Sequence, residues 1–190
     1  DYFYIMLKFT KIVNTEDANY HQLYDLYRSS FPSNERRDWN SLSNVFENEP
    51  KFKMYALESE NEFVGFFNYW KFSRFYYIEH FAIKSQYRNL RFGTEAIKEF
   101  LRTADMPVVL EVETPTTITA SRRIHFYERL GFYVLSDIYM QPPYDGKSFP
   151  VPMLIMSNDY HFSSKHFRLI KEVLYREVYH FELKTNDDKI

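Results

Sequence analysis

The stretch from Glu79 to Thr94, EHFAIKSQYRNLRFGT, sets the tightest limit on how this chain folds. It reads as an apolar strand, a turn carrying Arg88 and Arg91 around Gly93, and then the start of a helix. The chain has four glycines in 190 residues, so one in such a turn points to a backbone requirement. A strand that feeds directly into a helix leaves the first helical N–H groups without partners, and those groups attract phosphate oxygens.

The rest of the chain supplies a sheet for that unit. Tyr2 to Val13 reads as a first strand. Thr15 and Asp17 suit the start of a helix carrying Tyr20, Leu23, Tyr24 and Tyr27 at helical spacing, ending at Phe31 and Pro32. Ser33 and Glu35 open a second helix with Trp39, Leu42, Val45 and Phe46 on one face. Phe52 to Leu57, Phe63 to Phe72 and Tyr76 to Ile83 are strand-like runs joined by short polar turns, the pattern of antiparallel hairpins. A helix over 92–103, a strand over 108–112, a helix over 119–130 closed by Gly131, and strands from Phe132 and Val151 complete the pattern. The tail from Ser163 to Phe181 reads as one amphipathic helix, with Phe167, Ile170, Val173, Leu174 and Val178 as its apolar stripe. This order predicts an α/β (α+β) fold, a mixed central sheet with helices on both faces and an extra C-terminal helix. Residues 1–160 form the expected domain, and 161–190 the helix, packed on that domain or at a dimer interface.

A net charge of −2 argues against a broad nucleic-acid surface. The chain has no cysteine, which excludes disulfides and thiolate chemistry. Its apolar runs fall short of the ~20 residues of a membrane span, and the first residues lack a basic stretch ahead of an apolar one. The expectation is a soluble cytoplasmic protein, a monomer or homodimer, with no membrane or nucleic-acid partner. No spacing of His, Asp and Glu suggests a metal.

A second motif lies about 30 residues beyond the first: Ala120 to Phe132, ASRRIHFYERLGF. Its RRIHFYERLGF portion resembles a helix and C-cap of GNAT superfamily N-acetyltransferases, and Arg88 to Gly93 resembles the acetyl-CoA loop of that family. The resemblance spans about Thr10 to Met156. It implies transfer of an acetyl group from acetyl-CoA to a primary amine, on a small molecule or a peptide, by direct attack. It further implies that the backbone of Phe81, Ala82 and Ile83 lines the pantetheine arm. Arg88, Asn89, Leu90, Arg91, Phe92, Gly93 and Thr94 would wrap the pyrophosphate. Tyr127 would protonate the departing thiolate. The general base is a carboxylate, Glu79 or Glu111, with Glu113 on the same face as Glu111. Simple alternation puts Glu79 on the face of Phe81 and Ile83, with His80 opposite. The resemblance also implies that Glu35, Arg36 and Arg37 border the acceptor groove, where they would read a polar substrate, and the loop from Gln141 to Gly146 would cover it from the other side. The chain departs from the family at Arg91, where glycine is usual, and at Ala120, where asparagine is common. Those departures keep a second reading open, a non-catalytic CoA-binding or interaction module.

Overall fold

A computed structural model describes residues 6–181, without the side chains of residues 136–138. The strands are β1 (Lys8–Lys11), β2 (Phe52–Ser59), β3 (Glu62–Lys71), β4 (Tyr76–Ile83), β5 (Val108–Glu113), β6 (Tyr133–Gln141) and β7 (Val151–Ser157). The helices are α1 (Ala18–Ser30), α2 (Trp39–Asn48), α3 (Phe92–Thr103), α4 (Ile118–Glu128), α5 (Tyr160–Lys165) and α6 (Phe167–Val173). The strands form one sheet in the order β1-β2-β3-β4-β5-β7-β6, antiparallel throughout except for β4 with β5. This is the mixed sheet with helices on both faces that the element order predicts.

Each face has its own core. On one, Tyr20, Leu23 and Tyr27 of α1 and Leu42 and Val45 of α2 pack on Phe66, Trp70 and Tyr77. On the other, Ala96, Ile97 and Phe100 of α3 and Ile124 and Tyr127 of α4 pack on Phe67, Ile78 and Leu110. Asp17, Asp38 and Thr117 cap α1, α2 and α4 by accepting hydrogen bonds from Asn19, Ser41 and Ala120 backbone N–H groups at 2.8–3.0 Å. Gly131, at φ +87°, ends the α4 segment in the left-handed conformation that favours glycine.

Three sequence expectations are corrected. Part of the first predicted strand lies outside the described residues, and β1 itself covers only Lys8–Lys11. The second helix does not start at Ser33: a 3₁₀ turn occupies Ser33–Glu35, and α2 begins at Trp39 after the Asp38 cap. The predicted tail helix is broken. His166 leaves the helical region at φ −113°, ψ 19°, its Nδ1 lying 2.8 Å from the Phe162 carbonyl, and Leu174–Val178 forms a π-helical turn. Ile170, Leu174, Tyr175 and Val178 from this tail are buried in the core against α1, α2 and the sheet. No helix among the described residues is long and apolar enough to cross a membrane.

Two features of β4 shape the centre of the molecule. Asn68 of β3 pairs with His80, but Tyr69 pairs with Ile78, so Glu79 is the extra residue of a β-bulge. Pairing of β4 with β5 covers only Tyr76–Ile78 against Val108–Leu110 and stops there. A bulge bends its strand, and this one sits at the point where β4 leaves β5. Gly65 holds the far end of β4 to β3, opposite Ile83; a Cβ at Gly65 would overlap the Ala82 carbonyl oxygen and lie 2.8 Å from Ile83 Cδ1. Gly65→Ala is therefore expected to destabilise by about 1–3 kcal/mol, read as a lower denaturant midpoint; an unchanged midpoint would mean the two strands separate freely here.

Candidate active site at the parting of two strands

Beyond Ile78 the β5 side of β4 has no strand partner among the described residues, while its β3 side stays paired as far as Ile83. The Lys84 N–H donates to Val64 on β3 at 2.9 Å. Backbone groups alternate along a strand, so those of Phe81 and Ile83 are turned to the gap. The Ile83 carbonyl accepts from Arg88 Nε at 3.2 Å. The side chains of Phe81 and Ile83 lie on the α3–α4 face.

The turn after β4 ends on two residues with left-handed backbones, Asn89 (φ +64°) and Arg91 (φ +65°, ψ 0°). Arg91 is the N-cap of α3 and makes no side-chain capping bond. The first N–H groups of α3, at Phe92, Gly93 and Thr94, therefore lack the side-chain acceptor that serves α1, α2 and α4. Gly93 packs onto the end of β4 and onto α4: a Cβ built on it would meet the side chains of Phe126, Phe81 and Ile83 at 3.5–3.8 Å. The end of β4, the start of α3 and the last turn of α4 thus converge. A free strand edge joined to an uncapped helix N-terminus suits a ligand with amides at one end and phosphates at the other.

Tyr127 is on α4, buried in the same core as Phe81 and Ile83, its ring against Phe126 and Phe132. Burial pushes its phenol up to about 12, partly offset by Arg123. The phenol therefore keeps its proton at neutral pH.

The opposite face of the same parting holds the two carboxylates. The bulge overturns the simple alternation: Glu79 and His80 lie together on the α1–α2 face, and Phe81 and Ile83 are on the other. Glu79 Oε1 accepts from Arg37 Nη1 and from the Tyr144 hydroxyl at 2.9 Å, and Oε2 accepts from Trp70 Nε1 at 2.7 Å. The pair is sealed from water, with side chains 0% and 3% exposed. Burial pushes the Glu79 carboxyl up, but Arg37 and the donated hydrogen bonds outweigh it and hold it below the ordinary carboxylate range. Arg37 is thus neither a surface residue nor free to read a substrate. His80 packs against Tyr27 and Phe31, with Nε2 3.0 Å from the Glu35 carbonyl. Burial lowers its pKa to about 4, so it is neutral.

Glu111 comes directly after Leu110, the last β5 residue paired with β4. Its Oε2 accepts from the Tyr179 hydroxyl at 2.6 Å. Its Oε1 is buried and has no partner among the described residues. Burial pushes this carboxyl up to about 7, with donated hydrogen bonds opposing. Glu113, two residues on, is ion-paired with Arg123 at 2.5 Å near the surface. A cavity of about 300 Å³ lined by Phe9, Tyr55, Tyr69, Tyr76 and Phe100 lies against the C-terminal half of α3 and touches neither carboxylate.

Sequence reading missed three residues of this cluster, Trp70, Tyr77 and Tyr179. Trp70 and Tyr77 lie in apolar strand runs and Tyr179 directly follows the tail's apolar stripe, and nothing in the pattern marks them as polar partners. Tyr144 lies in the loop expected to cover the groove, and its hydroxyl supplies that loop's link to Glu79.

The two carboxylates should respond differently in stability measurements. Arg37→Met strands a buried carboxylate and should cost about 3–5 kcal/mol in urea unfolding; a loss within error would mean Glu79 finds water. Glu111 is raised in the folded state, so it favours folding while protonated. That contribution is lost as pH rises from the ordinary carboxylate range through about 7. Glu111→Gln should remove the decline and be the more stable protein at pH 8 by about 1–3 kcal/mol; parallel curves for the two proteins would contradict the burial.

Similarity to known proteins agrees with this geometry. The Acetyltransferase (GNAT) family model matches residues 20–132. The structure of a GNAT-family acetyltransferase from Bacteroides thetaiotaomicron is similar over 94% of this chain and 100% of its own, with 31% identity and a TM-score of 0.85. A GNAT acetyltransferase from Elizabethkingia anophelis with acetyl-CoA bound covers 80% of this chain and 96% of its own, at 13% identity and a TM-score of 0.60. An aminoglycoside 6'-N-acetyltransferase complexed with coenzyme A covers 80% and 96%, at 16% identity and a TM-score of 0.57. No curated protein matches the chain in sequence. With its split sheet and uncapped α3, the chain belongs to the GNAT family of acetyltransferases.

Proposed function

We propose that the protein is an N-acetyltransferase that moves an acetyl group from acetyl-CoA to a primary amine. The observation that carries this reading is the parting of β4 from β5, with an unpaired backbone edge on one side of Glu79 and an uncapped helix beyond it. The solved relatives named with acetyl-CoA or coenzyme A support the choice of co-substrate, and the aminoglycoside acetyltransferase supports an amine acceptor.

Acetyl-CoA supplies the thioester. Phe81 and Ile83 offer main-chain groups to its pantetheine amides, while Arg88 to Thr94 hold its phosphates. Glu111 is the base: its unpartnered Oε1 takes the proton of the attacking amine. The new bond joins nitrogen to the acetyl carbon, the carbon–sulfur bond breaks, and Tyr127 gives its proton to the thiolate. Glu79 is unsuited to the base role because each of its oxygens already accepts a hydrogen bond, and Arg37 stabilises its charge. A raised carboxyl beside a lowered one is the arrangement in which roles separate.

The reading as a non-catalytic module rests on Arg91 and Ala120. Arg91 keeps the left-handed backbone that glycine would take there, which removes much of its force. Ala120 is buried, and its N–H is used by Thr117.

Acetyl-CoA at 100 times its Kd should raise unfolding stability by about 2.7 kcal/mol; no thermal shift at high concentration would count heavily against the reading. In thiol-release assays over a panel of amines, Tyr127→Phe should lower kcat about 10²-fold or more with acetyl-CoA affinity intact. The kcat/KM of the wild type should rise with pH through about 7, and Glu111→Gln should abolish that rise. A Phe variant with full turnover would remove Tyr127 from the mechanism.

A further inference from the structure

The C-terminal turn reaches both carboxylates. Val178 offers its carbonyl to Arg37 Nη2 at 2.8 Å, the same guanidinium that binds Glu79. The next residue, Tyr179, donates its hydroxyl to Glu111 Oε2 at 2.6 Å. Its ring packs 4.9 Å from that of Tyr144, whose hydroxyl is on Glu79. The turn that delivers these two residues is π-helical: the Tyr179 N–H bonds the Leu174 carbonyl at 3.2 Å, five residues back. Such turns are rare and concentrate at functional sites. A residue inserted into a helix rotates the residues after it by about 100°, so the π turn decides where Tyr179 points.

The surroundings of Glu111 leave its two oxygens unequal. Tyr77 and Glu79 come from β4, Tyr139 from β6, Tyr144 from the β6–β7 loop and Tyr179 from the tail; Arg37 joins through Glu79. Among these, the Tyr179 hydroxyl makes the direct bond of normal geometry to Glu111, on Oε2. Oε1 is buried and has no hydrogen-bond partner among the described residues.

We infer that Tyr179 is a positioning residue for the acetyl-transfer reaction: its hydroxyl fixes Glu111 Oε2 so that Oε1 is the oxygen presented to the acceptor amine. The inference rests on the reading of Glu111 as the base. A donor on Oε2 also stabilises the ionised carboxylate, so the bond both orients Glu111 and keeps it ionisable near neutral pH.

The test uses the full chain labelled with ¹³C at glutamate carboxyls, with Glu111→Gln identifying the Glu111 signal. Tyr179→Phe keeps the ring and removes the donor. It should shift the Glu111 titration upward by about one pH unit, the size of one lost charge-assisted bond. The rise of kcat/KM with pH, read by thiol release with ethanolamine, tyramine and kanamycin, should move by the same amount. Acetyl-CoA affinity should stay unchanged. A titration and pH limb left at their wild-type positions would overturn the role of Tyr179 even if Glu111 remains the base. A pH limb that survives in Glu111→Gln would instead overturn the base reading itself. Should Tyr179→Phe fail to fold, 3-fluorotyrosine at position 179 tests the same bond. Its more acidic phenol should lower the Glu111 titration, and an unmoved one again removes Tyr179.

Discussion

A carboxylate cannot stay ionised in a protein interior without partners, and Glu79 draws its partners from separate parts of the chain. Arg37 comes from the segment between α1 and α2, Trp70 from β3 and Tyr144 from the β6–β7 loop. Arg37 extends the network to the Val178 carbonyl of the tail. Four segments far apart in sequence are thereby held at one point, at the bulge where β4 leaves β5. A buried ion pair is weak evidence for stability, since desolvation offsets much of the attraction. Its better-supported role is specificity: with Arg37 anywhere else, a charge is left unpaired in the core. The wall around the site therefore has one low-energy arrangement.

That same network explains why two carboxylates beside the same strand parting differ. Glu79 has a guanidinium and two further donors, and its charge is stabilised. Glu111 has one hydrogen bond of normal geometry, from the Tyr179 phenol to Oε2, with none to Oε1 among the described residues, and burial dominates. The difference comes from neighbours rather than from depth, since the Glu79 side chain and Glu111 Oε1 are both sealed from water. An amine acceptor needs a base that is ionised part of the time yet holds a proton readily. On the proposed function the under-supplied carboxylate suits that need, while the well-supplied one ties the surrounding segments together.

Much of the frame was legible in the amino acids because it obeys short-range rules. The helix from Phe92 to Thr103 has a clean 3.6-residue stripe, and the hairpins of β2, β3 and β4 are bounded by short polar turns. The strand–loop–helix unit around Arg88 and Gly93 could be read for the same reason. The site was less legible because its features break those rules. The bulge at Glu79 adds one residue and reverses the phase of every later position in the strand, so alternation places Glu79 with Phe81 when it actually lies beside His80. Arg37 looks like a solvated arginine next to Arg36; only the tertiary fold turns it inward. Tyr179 follows the last residue of the tail's apolar stripe, and the π turn that aims its hydroxyl leaves no mark in composition.

Arg91 shows how a departure from family pattern can preserve the geometry the pattern encodes. Glycine is favoured at such a turn because φ near +60° carries little steric cost for it. An arginine in that conformation carries a cost of roughly 1–2 kcal/mol, and Asn89 two residues earlier is left-handed as well. The surrounding structure holds both. The Arg88 side chain is tied to the Ile83 carbonyl, and α3 is buried through Phe92, Ala96 and Ile97. The strain therefore falls on a turn whose two ends are fixed. What the arginine adds is a positive charge at the positive end of a helix that lacks a capping side chain. Without an anion there the combination is unfavourable, because charge and helix dipole repel. With phosphates bound, the same two features act together. On the proposed function the loop is therefore more stable with acetyl-CoA bound than without it.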